Sequence, residues 1–213
     1  MTILDDLNPP TSNVLSNSLF ANKFISSLSN LESQTNIFIS TLCFNEGSLI
    51  LTLNSKGEEE WVEIEKLTVG QLVKTYLHGY RKLKLIGSGT LINNVNDPWK
   101  CMYKLPKNDD EVFEDLILTP GHSILVDNIE DENEYRITKQ NFEGSFRYID
   151  DKVLIQACVS NKFVKITDDK EYTYYHIVLE NDGDVTRRYG VWANGVLTET
   201  TNEEDFLDCT PKK

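Results

Sequence analysis

Short β-prone runs rich in hydrophobic residues, separated by polar turns rich in Gly, Asn or Lys, follow one another from residue 48 to residue 193. Runs of this length that are bounded by turn-forming residues are typical of β-strands. The runs that predict strands are 48–53, 60–64, 72–76, 82–86, 112–119, 123–126, 153–156, 163–166, 172–179 and 189–193. Because no long helical pattern separates them, the sequence predicts an all-β domain, with the acidic stretch 127–134 as an exposed loop.

The first 41 residues differ from this pattern. They are rich in Ser, Asn and Thr and carry little charge, which predicts a flexible or disordered leader. Hydrophobic residues between Val14 and Leu31 recur at helical spacing and predict a short amphipathic helix within it. Of two interpretations, a helix that packs against the domain and a leader that is released by cleavage, we favour the first. The predicted organisation is a leader at 1–41, a domain at 42–200 and a polar tail at 201–213.

The length and the charge of the chain restrict the classes of function that it can have. A chain of 213 residues can bury one good core, so a single, monomeric domain is expected. Its 34 acidic and 21 basic residues give a net charge of −13, which argues against a nucleic-acid or anionic-membrane partner. No apolar run approaches a membrane span and no signal peptide is evident, so a cytoplasmic protein is expected.

The cysteine pattern argues against metal and cofactor chemistry. Cys43, Cys101, Cys158 and Cys209 are far apart, and no C-x-x-C pair suggests zinc or a redox dithiol. With three histidines in the chain, we expect no metal site and no cofactor. A chain without a secretory signal keeps its thiols reduced, as a nucleophilic thiol requires.

Two segments carry candidate chemistry. Cys43 stands where a strand-like run begins, and Thr119 and His122 lie three residues apart across a Pro-Gly turn. A thiol nucleophile needs a neighbouring group that moves protons. If the fold joins these segments, the amide most accessible to Cys43 is its own bond to Leu42. Taken singly, each residue has a structural explanation, as a small buried hydrophobe, a strand residue and a turn histidine.

Four blocks of the sequence, in order, carry a resemblance to a known family. Residues 43–50 read Cys-Phe-Asn-Glu-Gly-Ser-Leu-Ile, 119–122 read Thr-Pro-Gly-His, and 189–197 read Tyr-Gly-Val-Trp-Ala-Asn-Gly-Val-Leu. A weaker block lies at 64–73. Together they resemble the Hint domain, the module shared by Hedgehog autoprocessing domains, inteins and bacterial intein-like proteins. The resemblance implies the Hint (Hedgehog/intein) fold, a pseudo-twofold β horseshoe.

The resemblance also implies a reaction. Cys43 would attack the Leu42–Cys43 peptide bond in an N-to-S acyl shift, with Thr119 holding the distorted amide and His122 donating to the departing nitrogen. The chain's own N-terminal segment is then the substrate. The thioester would be resolved by water, by a thiol or by an amine on a partner. The resemblance therefore predicts that the chain is a self-cleaving cysteine autoprocessing domain.

Departures from the family pattern restrict that reaction and keep alternatives open. Splicing inteins end in His-Asn, but Glu199 and Thr200 stand here, so N-terminal cleavage without full splicing is expected. One alternative is a catalytically silent Hint-fold module that binds or supports other molecules. Another is a cysteine hydrolase acting in trans, although no papain-like motif is present. His176 shares a strand face with Tyr174 and Val178, and a structural role is favoured for it over a supporting one.

Overall fold

The computed structural model describes residues 42–108 and 110–209, and within them the predicted all-β class is confirmed. The predicted leader helix lies outside the described residues. The strands are β1 (Phe44–Asn45), β2 (Leu49–Leu53), β3 (Glu59–Glu63), β4 (Leu72–Lys74), β5 (Tyr80–Ile92), β6 (Tyr103–Leu105), β7 (Leu116–Leu118), β8 (Ser123–Val126), β9 (Tyr148–Ile149), β10 (Lys152–Gln156), β11 (Val164–Lys165), β12 (Glu171–Leu179), β13 (Gly190–Ala193) and β14 (Val196–Glu199). Single turns of 3₁₀ helix lie at Ile64–Lys66 and Pro98–Lys100.

The strands form one antiparallel sheet in the order β11-β6-β7-β1-β12-β5-β4-β2-β13-β14-β8-β10-β9, with β3 beside β2. Strand β5 joins the two halves of this order, because it pairs with β12 and with β4. The short β1 lies between β7 and β12, through the pairs Phe44–Leu118 and Phe44–Tyr175. This register brings the residue before β1, the residue after β7 and the middle of β12 to one place.

Strand β5 is longer than the sequence predicts, since it continues through Gly87 and Gly89. Glycine within a strand often marks the close approach of another group. Here Gly87 pairs with His176 and Gly89 with Tyr174 on β12. A Cβ at Gly87 would lie 2.3 Å from Nε2 of His176, and one at Gly89 would lie 2.5 Å from the Tyr174 hydroxyl. The glycines therefore make room for two ring side chains.

Two α-helices lie within the described residues, α1 (Glu132–Asn141) and α2 (Glu203–Cys209). The prediction of a loop across 127–134 is wrong at its end, because Asp131 caps α1 by accepting hydrogen bonds from the N–H groups of Asn133 and Glu134. Over 42–108 and 110–209, no helix combines the length and the apolar character needed to cross a membrane. The buried Thr201 and Asn202 lead into α2.

The main hydrophobic core includes the strands around β1. Phe44, Leu118 and Ile177, from β1, β7 and β12, are all at most 1% exposed and belong to one cluster. Burial of each such side chain contributes roughly 1.5–3 kcal/mol. The residues next to them in sequence, Cys43, Thr119 and His176, are therefore held on a rigid support.

Candidate active site

Cys43 and Thr119 are hydrogen bonded through their backbones and through the Thr119 side chain. The N–H of Cys43, which belongs to the Leu42–Cys43 peptide bond, donates to Oγ1 of Thr119 at 2.9 Å. The Thr119 N–H donates to the Cys43 carbonyl at 3.1 Å, and the Thr119 hydroxyl reaches the same carbonyl at 3.3 Å. Both residues are buried, so the nitrogen of the predicted cleavage site is held in a fixed direction away from water.

The Cys43 thiol faces His176, the histidine for which a structural role was predicted. Sγ of Cys43 lies 3.8 Å from Nδ1 of His176. The imidazole lies between Gly87 of β5 and the ring of Phe206 on α2, with ring centroids 4.5 Å apart. Burial lowers the pKa of His176 below its ordinary 6.5. A neutral imidazole at this place can accept a proton from the thiol.

His122 lies in the turn between β7 and β8 and is completely buried. Its Nε2 is 3.0 Å from the carbonyl oxygen of Glu199, so Nε2 carries a proton and Nδ1 is left for chemistry. The ring packs edge-on against Phe44, with centroids 4.4 Å apart. Nδ1 has no hydrogen-bond partner among residues 42–108 and 110–209, although the Cys43 backbone lies near enough to influence its pKa.

The pKa of His122 is set by opposing effects. Burial lowers it from the ordinary 6.5 and is the dominant cause, while the nearby Glu199 carboxylate and the backbone of Cys43 oppose that shift. The charge of Arg188 adds to the lowering. The imidazole is consequently neutral over most of the physiological pH range, and its protonation is sensitive to the charges around it.

A buried ion-pair cluster supports His122. Glu199 is 1% exposed, and its carboxylate accepts from the Ser123 N–H at 2.9 Å and from Arg188 at 2.8 Å. Arg188 donates in turn to Asp205 at 2.5 Å. In the sequence, Glu199 stands out only as a departure from the splicing pattern, since nothing in a polar stretch marks a glutamate as buried.

The carbonyl of the Leu42–Cys43 bond also has a partner. The Thr201 hydroxyl donates to the Leu42 carbonyl oxygen at 3.2 Å, and both residues are buried. Thr201 stands at the start of the predicted polar tail, so this contact was not predicted from the sequence. The sequence carries only a weak signal for a role of Thr201, because threonine is common in exposed polar segments.

The arrangement can therefore orient an amide, accept a thiol proton and donate to a carbonyl oxygen. The structure brings Leu42, Cys43 and Thr119 into direct contact and places His122 beside the Cys43 backbone. Within the part of the chain that the structure describes, no three His, Cys, Asp or Glu side chains gather as metal ligands.

Comparison with known proteins gives a family and distant structural likenesses. A family model described as "Hint domain" matches residues 42–205. A search of curated proteins finds no match. The crystal structure of the MchDnaB-1 intein is 10% identical, covers 73% of this chain and 98% of its own, and has a TM-score of 0.38. A splice-inactive variant of the AceL NrdHF class 3 split intein is 12% identical, with coverages of 76% and 98% and a TM-score of 0.41.

Proposed function

We propose, from the premise that this chain belongs to the Hint domain family, that it cleaves its own peptide bond between Leu42 and Cys43. The family match covers most of the chain and confirms the predicted Hint fold. An autoprocessing-type domain is the general function that this fold supports. The specific reaction proposed is an N-to-S acyl shift, followed by attack of a second nucleophile on the thioester.

One observation carries the proposal: both reacting atoms contributed by Cys43 have suitable partners. Its amide nitrogen is hydrogen bonded to Thr119 at 2.9 Å, and its sulfur lies 3.8 Å from the imidazole of His176. A cysteine that served only for packing would need neither polar neighbour. The grouping of an oriented amide, a thiol and a base is what intramolecular acyl transfer requires.

The first step is attack by sulfur. Nδ1 of His176 takes the proton of the Cys43 thiol, and the resulting thiolate forms a bond to the carbonyl carbon of Leu42. The electron pair of the carbonyl moves onto its oxygen. The lowered pKa of His176 keeps this imidazole neutral near pH 7, which is the state that can accept a proton.

The second step is departure of the nitrogen. The bond between the Leu42 carbon and the Cys43 nitrogen breaks as the oxygen electron pair returns to the carbonyl. The fraction of His122 that has taken a second proton from solvent, at Nδ1, gives this proton to the nitrogen, which becomes an amine. Thr119 keeps the nitrogen oriented during the change. The net result moves one proton from sulfur to nitrogen and one acyl group from nitrogen to sulfur, and exchange with solvent restores both imidazoles.

The thioester is then resolved without splicing. Water, a thiol or an amine attacks the Leu42 carbonyl carbon, which releases residues 1–42 and returns the thiol to Cys43. Glu199 and Thr200 cannot cyclise as the terminal asparagine of a splicing intein does. The substrate of the domain is accordingly its own N-terminal segment.

A second candidate is a catalytically silent Hint-fold module that binds or supports other molecules. The buried state of His122 favours it, because burial lowers the pKa of the proposed proton donor and leaves it neutral at pH 7. A neutral imidazole bonded through Nε2 to a carbonyl has no proton on Nδ1 to give.

Hydroxylamine separates the two candidates, because it traps thioesters and cleaves amides slowly. The full chain is incubated with hydroxylamine and its intact mass is followed. Self-processing yields residues 1–42 as a hydroxamate together with residues 43–213. Cys43→Ala abolishes both fragments, whereas Cys101→Ala, which removes a thiol hydrogen bonded to the Asn94 carbonyl, leaves them unchanged. A wild-type mass that does not change over days supports the silent module.

A further inference from the structure

We infer that Thr201 is a catalytic residue of this reaction, a hydrogen-bond donor to the oxyanion that forms on the Leu42 carbonyl oxygen. The inference rests on the proposed cleavage at Leu42–Cys43 and adds a group that neither the sequence blocks nor the family match assigns. Its basis is the contact between the Thr201 hydroxyl and the reacting carbonyl at 3.2 Å.

The contact has the geometry and the surroundings that such a donor needs. Thr201 and Leu42 are 3% and 6% exposed, so water does not compete strongly for the carbonyl oxygen. As sulfur attacks, negative charge develops on this atom, and a hydrogen bond to an anion is about twice as strong as one to a neutral carbonyl.

Thr201 is fixed from both sides before any reaction begins. On one side, the N–H of Thr200 donates to the carbonyl of Tyr189 at 2.9 Å. On the other, the side chain of Asn202 accepts from the N–H of Asp205 at 2.7 Å at the start of α2. A donor held in place needs no reorganisation as the charge forms, which is the condition for strong stabilisation of a transition state.

The Thr201 hydroxyl has a defined role as bonds form and break in the reaction. The Sγ–C bond forms, the carbonyl electron pair moves to oxygen and returns, and the C–N bond breaks. The Thr201 hydroxyl keeps its proton throughout and shares it most strongly with the oxygen of the tetrahedral intermediate. It is a donor and forms no covalent bond with the acyl group.

The test compares two substitutions at one position. Thr201→Val removes the hydroxyl while keeping the shape of the side chain, and Thr201→Ser keeps the hydroxyl. The rate of fragment formation is measured in saturating hydroxylamine, at a temperature where thermal unfolding shows all variants folded. We expect a roughly hundredfold slower reaction for Thr201→Val, the effect typical of losing one oxyanion donor. The rate for Thr201→Ser is expected to stay within a few fold of wild type.

Controls separate this inference from the proposed function. Thr52→Val removes a threonine hydroxyl at a buried position on β2, where it donates to the Glu60 carbonyl, and this variant should cleave nearly as fast as wild type. If Thr201→Val cleaves within threefold of wild type while Cys43→Ala is inactive, the inference fails and the proposed function stands. If wild type does not cleave, both fail. Recovery of residues 1–42 as an ester on Thr201 would also overturn the inference, because the hydroxyl would then be an acyl acceptor.

Discussion

Replacement of Glu199 by glutamine tests the buried charge cluster behind the site. The carboxylate of Glu199 lies 2.8 Å from Arg188 and accepts from the Ser123 N–H at 2.9 Å. Glutamine has nearly the same volume and can still accept from Ser123. Its amide group, however, would place a second donor against the Arg188 guanidinium. The substitution therefore removes an electrostatic interaction while changing packing very little.

The expected cost follows from burial. Breaking a buried ion pair costs about 3–5 kcal/mol, because a charge is left without compensation. Arg188 keeps Asp205 as a partner at 2.5 Å, so we expect the lower end of that range, about 3 kcal/mol. With a urea m-value of about 2 kcal/mol per molar, the unfolding midpoint should fall by about 1.5 M.

Urea unfolding followed by fluorescence or circular dichroism measures this midpoint, and the m-value should not change. A matched control is Asp182→Asn, which removes the ion pair of Asp182 with Arg81 at 2.6 Å. The Asp182 side chain is 73% exposed. Pairs of that kind contribute roughly 0–1 kcal/mol. Equal losses for Glu199→Gln and Asp182→Asn would refute the argument that burial gives the Glu199 pair its weight.

Three further predictions concern close packing and protonation. Gly57→Ala should cost roughly 1–2 kcal/mol from its positive φ alone. In Gly195→Ala the new Cβ would lie 2.0 Å from a backbone oxygen, so this substitution should lower the free energy of unfolding by about 1–3 kcal/mol more than Gly57→Ala does. Equal losses for the two variants in urea unfolding would contradict this prediction. Gly87→Ala should displace His176 and slow hydroxylamine cleavage at least roughly tenfold with the protein still folded, whereas an unchanged rate would exclude His176 as the base. Because burial holds the pKa values of His122 and His176 below the unfolded value of 6.5, the unfolded chain binds more protons below that pH. The urea midpoint should therefore decrease as the pH is lowered from 7.5 to 5.5, and His176→Asn should make this decrease smaller. A wild-type midpoint that does not change with pH would contradict this prediction.

The sequence predicted the strands well where a short apolar run stands next to turn residues, as in β8, where the predicted and observed bounds coincide at Ser123–Val126. It ended β5 too early, because Gly87 and Gly89 are poor strand residues on their own. Their placement depends on rings from β12, a contact between residues far apart in sequence. The N-terminus of α1 was missed because the cap at Asp131 lies within a run of acids that also suits a loop.

The candidate site was predictable only where residue type and spacing suggested chemistry. Cys43, Thr119 and His122 were found in this way, and their catalytic roles remain part of the proposal. His176 and Thr201 were not assigned to chemistry, since an alternating strand and a polar segment each explain them without a site. Distances of 3.8 Å to Sγ and 3.2 Å to the Leu42 carbonyl become visible only once the sheet has formed.

The contact between Leu42 and Thr201 spans 159 positions and has a consequence for timing during synthesis. A ribosome that has just produced Cys43 has not yet made the threonine that binds the neighbouring carbonyl, nor the Phe206 ring that covers the His176 imidazole. Under the proposed reaction, the Leu42–Cys43 bond is thus protected while translation continues. The proposed cleavage would therefore have to wait until α2 has emerged from the exit tunnel.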